Sequence, residues 1–287
     1  MGARFLVVPQ WQGSGSSRAM RLIDGAQAIL GDLPAAATRV VQVPLEAGES
    51  LETGIHRFSS LVATREAVSR ELGECDDRVI TIGGDCGVSL ASVQRAVSAA
   101  PSGTTALVWF DAHGDLNDTA SSPSGAFSGM VLRALLGDAP EQLASAGSEV
   151  VQPDHVILAG ARALDDEEVD YLERSGIHQV NPDPLSAADD GSLQEAVVRA
   201  VRESGATRVY LHVDLDVLDP GEIHGVSDAE PFGLTPGELT GALRALRTEF
   251  ELAGATVAGF APESPESADR DLPVILRILG ALTAPIP

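Results

Sequence analysis

Eight short runs of apolar, largely β-branched residues punctuate the chain: Arg4–Pro9, Arg39–Val43, Val79–Ile82, Ala106–Phe110, His155–Ala159, Ile177–Val180, Val209–Val213 and Ala255–Phe260. Their hydrophobicity is continuous rather than alternating. Each run therefore predicts a strand buried on both faces, the condition of a parallel sheet covered by helices on either side. Helical patterns fall between them. Over Ser59–Leu72, the residues Leu61, Val62, Val68 and Leu72 form one apolar stripe. Asp183–Arg202 and Thr235–Leu252 behave similarly, and Asp271–Leu282 predicts the last helix. Thr235-Pro236-Gly237-Glu238 reads as a capping box with proline at the first helical position. Alternating β and α elements over the whole length predict an α/β fold around a mostly parallel central sheet. No Pro/Ser-rich linker and no internal repeat divides the 287 residues, so one domain over 1–287 is expected.

Charge narrows the partners. The 19 basic residues are all arginine and face 42 acidic ones, a formal net charge of −23. Phosphate backbones and anionic lipid surfaces are bound through basic patches, so neither nucleic acid nor a membrane is an expected partner. Such acidity also occurs in disordered chains, but a hydrophobic fraction of 44% spread along the length can build a large core. Cys75 and Cys86 stand too far apart for a CxxC motif, and no apolar run approaches the roughly 20 residues of a membrane-spanning helix. The apolar run at Phe5–Pro9 is too short for a signal-peptide core, which makes the cytoplasm the expected compartment.

Three strand ends carry chemistry. Leu107–Phe110 runs into Asp111-Ala112-His113-Gly114-Asp115, with donor side chains at i, i+2 and i+4 that share one face if the backbone stays extended. Val209–Val213 runs into Asp214-Leu215-Asp216, followed by Val217-Leu218-Asp219-Pro220. A lone DxD after a strand reads as a turn or a helix cap; two such signals, one with a histidine, read as a metal site. In parallel α/β sheets ligands collect at the carboxyl ends of strands. Four carboxylates gathered there would repel one another, and two divalent ions would neutralise them and activate a water as nucleophile. The third signal, Ile82-Gly83-Gly84-Asp85-Cys86, reads as a tight strand-to-helix turn, and Gly13-Ser14-Gly15-Ser16-Ser17 as a flexible loop.

Together these segments resemble the arginase (ureohydrolase) family, whose signatures are a GGDH turn, a DAHxD strand end and a DxDxxDP strand end; here they read GGDC, DAHGD and DLDVLDP. The resemblance extends from the helix around Asp24–Ile29 to Glu263. It implies an arginase-like three-layer α/β/α sandwich and two manganese ions (Mn2+) per chain. Asp111 and Asp214 would bridge both ions, His113 and Asp216 complete one site, and Asp115 and Cys86 the other. Cys86 stands where the pattern has histidine; a thiolate is a softer ligand than manganese prefers, and a small buried filler is the competing reading. The resemblance further assigns Asn117 and Ser124 to a substrate carboxylate, Asp165 to its amino group, and Glu263 to the guanidinium. An exposed acid at the start of an acidic helix is the alternative for Asp165, whose neighbours Asp166, Glu167 and Glu168 read as solvated surface.

Two departures bear on the substrate. Ser128 takes the place of the histidine credited with proton shuttling, and a serine is no general acid or base near neutral pH. Asp228 is the nearest match to a threonine in the segment after Asp219-Pro220. An N-hydroxyguanidine is less basic than a guanidinium and more easily attacked when neutral. GGDC with a missing shuttle histidine is similar to the branch of the family that hydrolyses Nω-hydroxy-L-arginine to hydroxyurea and L-ornithine in antibiotic (D-cycloserine) biosynthesis. That activity is the expectation, with Asp115 passing the proton and Glu263 orienting the substrate. Other ureohydrolase action, and an inactive guanidino-binding protein, are the alternatives. The partner is a small-molecule substrate, and with a short segment after Glu263 a monomer is expected over a homotrimer.

Overall fold

The computed structural model describes residues 3–181 and 192–285. All eight expected strands form: β1 (Arg4–Val7), β2 (Thr38–Val40), β3 (Val79–Ile82), β4 (Thr105–Phe110), β5 (Val156–Ala159), β6 (His178–Val180), β7 (Arg208–Asp214) and β8 (Glu251–Ala258). They make one sheet in the order β2-β1-β3-β8-β7-β4-β5-β6, and every pairing is parallel. Parallel neighbours need crossovers, and the helices supply them on both faces. The helices are α1 (Arg21–Leu30), α2 (Phe58–Gly73), α3 (Ser89–Ser98), α4 (Val131–Leu135), α5 (Asp166–Ser175), α6 (Leu193–Ser204), α7 (Pro236–Glu249) and α8 (Pro265–Thr283).

Two apolar clusters show the layering. Val108, Phe110, Leu211 and Val213 point to one face and pack with residues of α1, α6, α7 and α8. Leu107, Trp109, Leu158 and Tyr210 point to the other and pack with α2, α3, α4 and α5. Strands whose successive side chains enter different cores must be apolar throughout, which is why β4 and β5 are buried at every position. The result is the three-layer α/β/α sandwich.

Some boundaries differ from the sequence pattern. The helix expected over Thr235–Leu252 ends at Glu249, because Glu251 and Leu252 pair with Arg208 and Val209 and begin β8. The strand expected to reach Phe260 stops at Ala258, where Gly259 turns left-handed with φ +87°. The last helix begins at Pro265, ahead of Asp271, behind a Ser264 cap. The expected helix start at Asp183 lies outside the described residues, and α6 itself opens on Ser192 as its cap. The capping box at Thr235 and Glu238 forms as expected.

Candidate active site

Four adjacent strands, β3, β8, β7 and β4, end at one cavity of about 620 Å³. Cys86 follows the β3 turn, Gly259 follows β8, Asp214 closes β7, and Asp111 follows β4. Gly83 and Gly84 both hold positive φ, and a Cβ on Gly83 would sit 2.6 Å from the Ala26 Cβ. The glycines therefore let the chain turn back over α1 and deliver Cys86 to the cavity.

The convergence expected of the DxHxD and DxD motifs is real, but its reason is not an extended backbone. β4 ends at Phe110, and Asp111 caps its own turn by accepting the His113 N–H at 2.8 Å. Asp115 adopts φ +52°, unusual for a non-glycine residue. In β7, Asp214 likewise accepts the Asp216 N–H at 3.0 Å and caps the short turn holding Asp216. The carboxylates that cap these turns thus also line the cavity.

The donor atoms fall into two overlapping groups among the described residues. One contains Cys86, Asp111, His212 and Asp214, and the other Asp111, His113 and Asp216; within each, donor atoms lie within 4.8 Å of one another. The Cys86 thiol donates to Asp214 Oδ2 at 2.9 Å, and His113 Nδ1 lies 3.1 Å from Asp216 Oδ2. Asp115 is buried beside them, and its Oδ2 has no hydrogen-bond partner.

Burial and mutual repulsion shift the ionisation of the whole cluster. Burial, then repulsion by Asp216, pushes Asp214 up to about 7. Burial and Asp111 raise Asp216 to about 6, and burial followed by Asp111 drives Asp115 well above the carboxylate range. Burial, then Asp115, Asp214 and Asp111, raises the Cys86 thiol. Burial opposes a proton on His113, but Asp111 and Asp216 outweigh it and push its pKa to about 12. Divalent cations placed among such groups would favour the ionised carboxylates and the neutral imidazole. Buried carboxylates, an imidazole, a thiol and the orphaned Asp115 Oδ2 fit divalent metal.

Other expected residues gather at the rim. Asn117, Ser124, Ser128, Asp165 and Asp228 all line the cavity. Asn117 Nδ2 donates to Asp165 Oδ2 at 2.8 Å, while Asp165 Oδ1 accepts the Glu168 N–H and caps α5. Ser128 offers a hydroxyl and no imidazole.

Glu263 is a correction. Its side chain is 69% exposed and pairs with Arg21 at 3.2 Å and Arg18 at 3.7 Å, and it does not line the cavity. The residue that β8 delivers to the cavity is Gly259, where a Cβ would lie 2.2 Å from Asp214 Oδ1. The strand ends earlier than its apolar pattern, so Glu263 falls past the turn. Glu168 is a second correction: it is buried rather than solvated, and accepts the N–H groups of Leu116 at 3.0 Å and Asp165 at 3.2 Å. The spacing Asp165-x-x-Glu168 is a capping-box signature that could have revealed it. The Gly13–Ser17 segment is also more than a loop. Gly13 N–H donates to buried Asp85 at 2.8 Å, and Ser14, Gly15 and Ser16 line the cavity.

Arg162 had no sequence signal. Its guanidinium donates to the carbonyls of Gly160, Asp216, Val217, Leu218, Glu230 and Pro231 at 2.8–3.4 Å. It ties the turn carrying Asp216 to the loop carrying Asp228 and Glu230.

The family model described as "Arginase family" matches residues 15–280. The chain belongs to the arginase family. It is 30% identical to the arginase of Bacillus caldovelox over 252 residues, covering 84% of this chain and 82% of that protein. It is 29% identical over 223 residues to the N(omega)-hydroxy-L-arginine amidinohydrolase of Streptomyces lavendulae, covering 77% and 74%. The crystal structure of Entamoeba histolytica arginase in complex with L-ornithine superposes with a TM-score of 0.83 at 20% identity, covering 98% of both chains. Family membership accounts for the metal-type cluster at the β4 and β7 ends of this arginase-family chain. Among the described residues no helix is long and apolar enough to cross a membrane.

Proposed function

We propose that this hydrolase of the arginase family acts on Nω-hydroxy-L-arginine and releases hydroxyurea and L-ornithine. The observation that carries the reading is Ser128 on the cavity wall, where an arginine-hydrolysing site would need an imidazole to move protons. Gly259 adds to it: the β8 end offers no carboxylate to a strongly basic guanidinium. A hydroxyguanidine, being less basic, asks less of both positions. The Streptomyces lavendulae relative bears the name of that activity.

Asp111 belongs to both donor groups, Cys86 and Asp214 to one and His113 and Asp216 to the other, and these residues would hold the metal. Manganese is the metal the family suggests, two ions per chain. Bound there, the ions would supply a nucleophile from water at neutral pH and stabilise charge on the attacked carbon. Asp115 Oδ2, buried and without a partner, takes the proton of the attacking water and delivers it to the departing ornithine nitrogen. Asp165 meets the α-amino group through the carboxylate that Asn117 already orients at 2.8 Å, while Asn117 and Ser124 hold the α-carboxylate. Asp228 and Ser128 border the remaining wall.

Arginase activity on L-arginine is the second reading, favoured by the equal similarity to the Bacillus caldovelox arginase. Manganese-loaded protein offered each substrate separately decides between them. Hydroxyurea release should exceed urea release from L-arginine by at least about 100-fold, the share of rate that a general acid–base group commonly carries. Faster turnover of L-arginine refutes the hydroxylated substrate.

A further inference from the structure

His212 is none of the expected site residues, yet it is buried beside three that line the cavity, Cys86, Asp111 and Asp214. The β4–β7 register sets it opposite Trp109, and period-two alternation puts it on the same sheet face as Asp214, two residues on. It is fully buried. Its ring stacks on the Trp109 indole at 3.5 Å between centroids and 12° between planes. Nδ1 lies 2.7 Å from Ser89 Oγ at the start of α3. The ring is therefore fixed from its face and from one edge.

The other edge is open. Nε2 is buried and has no hydrogen-bond partner, whereas buried polar atoms in proteins are nearly always satisfied. It sits 3.9 Å from Asp111 Oδ2, and its group places a histidine nitrogen, the Cys86 Sγ and oxygens of Asp111 and Asp214 within 4.8 Å of one another. Ligand atoms about 2.0–2.3 Å from a common ion lie at most about 4.6 Å apart, so this spacing is that of one coordination sphere within small side-chain adjustments. A ligating histidine ordinarily donates its second ring N–H to a fixed acceptor, and Ser89 Oγ is in position for that on Nδ1.

We propose that His212 Nε2 is the nitrogen ligand of the ion held by Cys86, Asp111 and Asp214. The assignment rests on the metal-dependent reading of the cavity. It replaces one hard-donor site with a mixed set of thiolate, imidazole and two carboxylates. That set suits borderline ions such as zinc or cobalt(II) better than manganese, while the Asp111, His113 and Asp216 group keeps the harder character. The two halves of the site then differ in metal preference, set by a strand residue beneath the cavity rather than by a loop above it.

X-ray absorption of the cobalt(II)-loaded wild-type protein tests this without any variant, since imidazole scattering counts the histidines bound. Two ions per chain with two imidazoles between them, from His113 and His212, is the expected result. The Cys86 thiolate should show a sulfur-to-cobalt charge-transfer band. His212→Gln, if folded by circular dichroism, should lose one imidazole and weaken one ion by at least about tenfold. Two ions sharing a single imidazole overturns the assignment and leaves the hydrolase reading standing. Failure to bind any divalent ion overturns the metal-dependent reading, and the assignment with it.

Discussion

Stripping divalent metal from this protein should make it less stable as the pH rises from 5 to 8. In the metal-free chain Asp214 is raised from 3.8 to about 7 and Asp216 from 3.8 to about 6, both chiefly by burial. Asp85, buried under the Gly13 segment, also rises to about 6. An acid with a higher pKa folded than unfolded binds more protons when folded. Its contribution is therefore full below the unfolded value and is lost as pH climbs from there through the folded one. For Asp214 the climb from pH 5 to 7 alone costs about 2 kcal/mol. Asp216 and Asp85 add to the loss between pH 5 and 6, though not fully, because Asp216's charge is part of what raises Asp214. His113, held up to about 12, acts in the same direction above about 6.5. The lowered acids Asp118 and Asp219 stabilise above their usual value of 3.8 and lose that contribution below it, outside this window.

Urea denaturation in chelator at pH 5, 6, 7 and 8, followed by circular dichroism, measures the effect. A fall of at least about 3 kcal/mol is expected, a large part of a typical domain's 5–15 kcal/mol. Saturating manganese should remove or reverse the slope, because bound cations favour the ionised carboxylates. Metal-free stability that is flat or rising over this interval would refute the picture of four acids crowded without cations.

Three substitutions probe the surroundings. Arg162→Met removes the guanidinium bonds to the Asp216 and Glu230 carbonyls; metal affinity should fall about 10- to 100-fold by cation titration, as for other groups supporting ligands. Gly259→Ala forces a Cβ to within 2.2 Å of Asp214 Oδ1 at φ +87°; about 1–2 kcal/mol of backbone strain and at least about tenfold weaker metal binding are expected. Glu263→Ala breaks only exposed pairs with Arg18 and Arg21, so stability should change by under about 1 kcal/mol and kcat/KM by less than about twofold. A loss of about 100-fold on that last change would return Glu263 to the cavity.

Much of the molecule was legible before any coordinates. Strands buried on both faces leave an unbroken apolar signature, so all eight appeared in the sequence, and the acids that follow β4 and β7 sit beside those signatures. Local reading failed where a residue's fate depended on where a neighbouring element stops. Glu263 is a site residue by family resemblance, just after the apolar run to Phe260; the strand ends at Ala258 and Gly259 turns the chain, leaving Glu263 exposed beyond it. Glu168 looked solvated beside Asp166 and Glu167, which are exposed, because helix phase alone does not say that the Leu116 loop will need an acceptor there.

The sequence by itself determined the fold class, the strand ends that bear chemistry, and the departures at Cys86 and Ser128, because these depend on residue type and short-range spacing. Tertiary structure alone decided that Arg162 would clasp two distant loops, that Gly259 rather than Glu263 would face Asp214, and that His212 would aim an unpartnered nitrogen at Cys86, Asp111 and Asp214. Each of those depends on a sheet order, β3-β8-β7-β4-β5, in which strands far apart in the chain become neighbours. No local pattern encodes which strand ends will meet; only packing the whole sheet does.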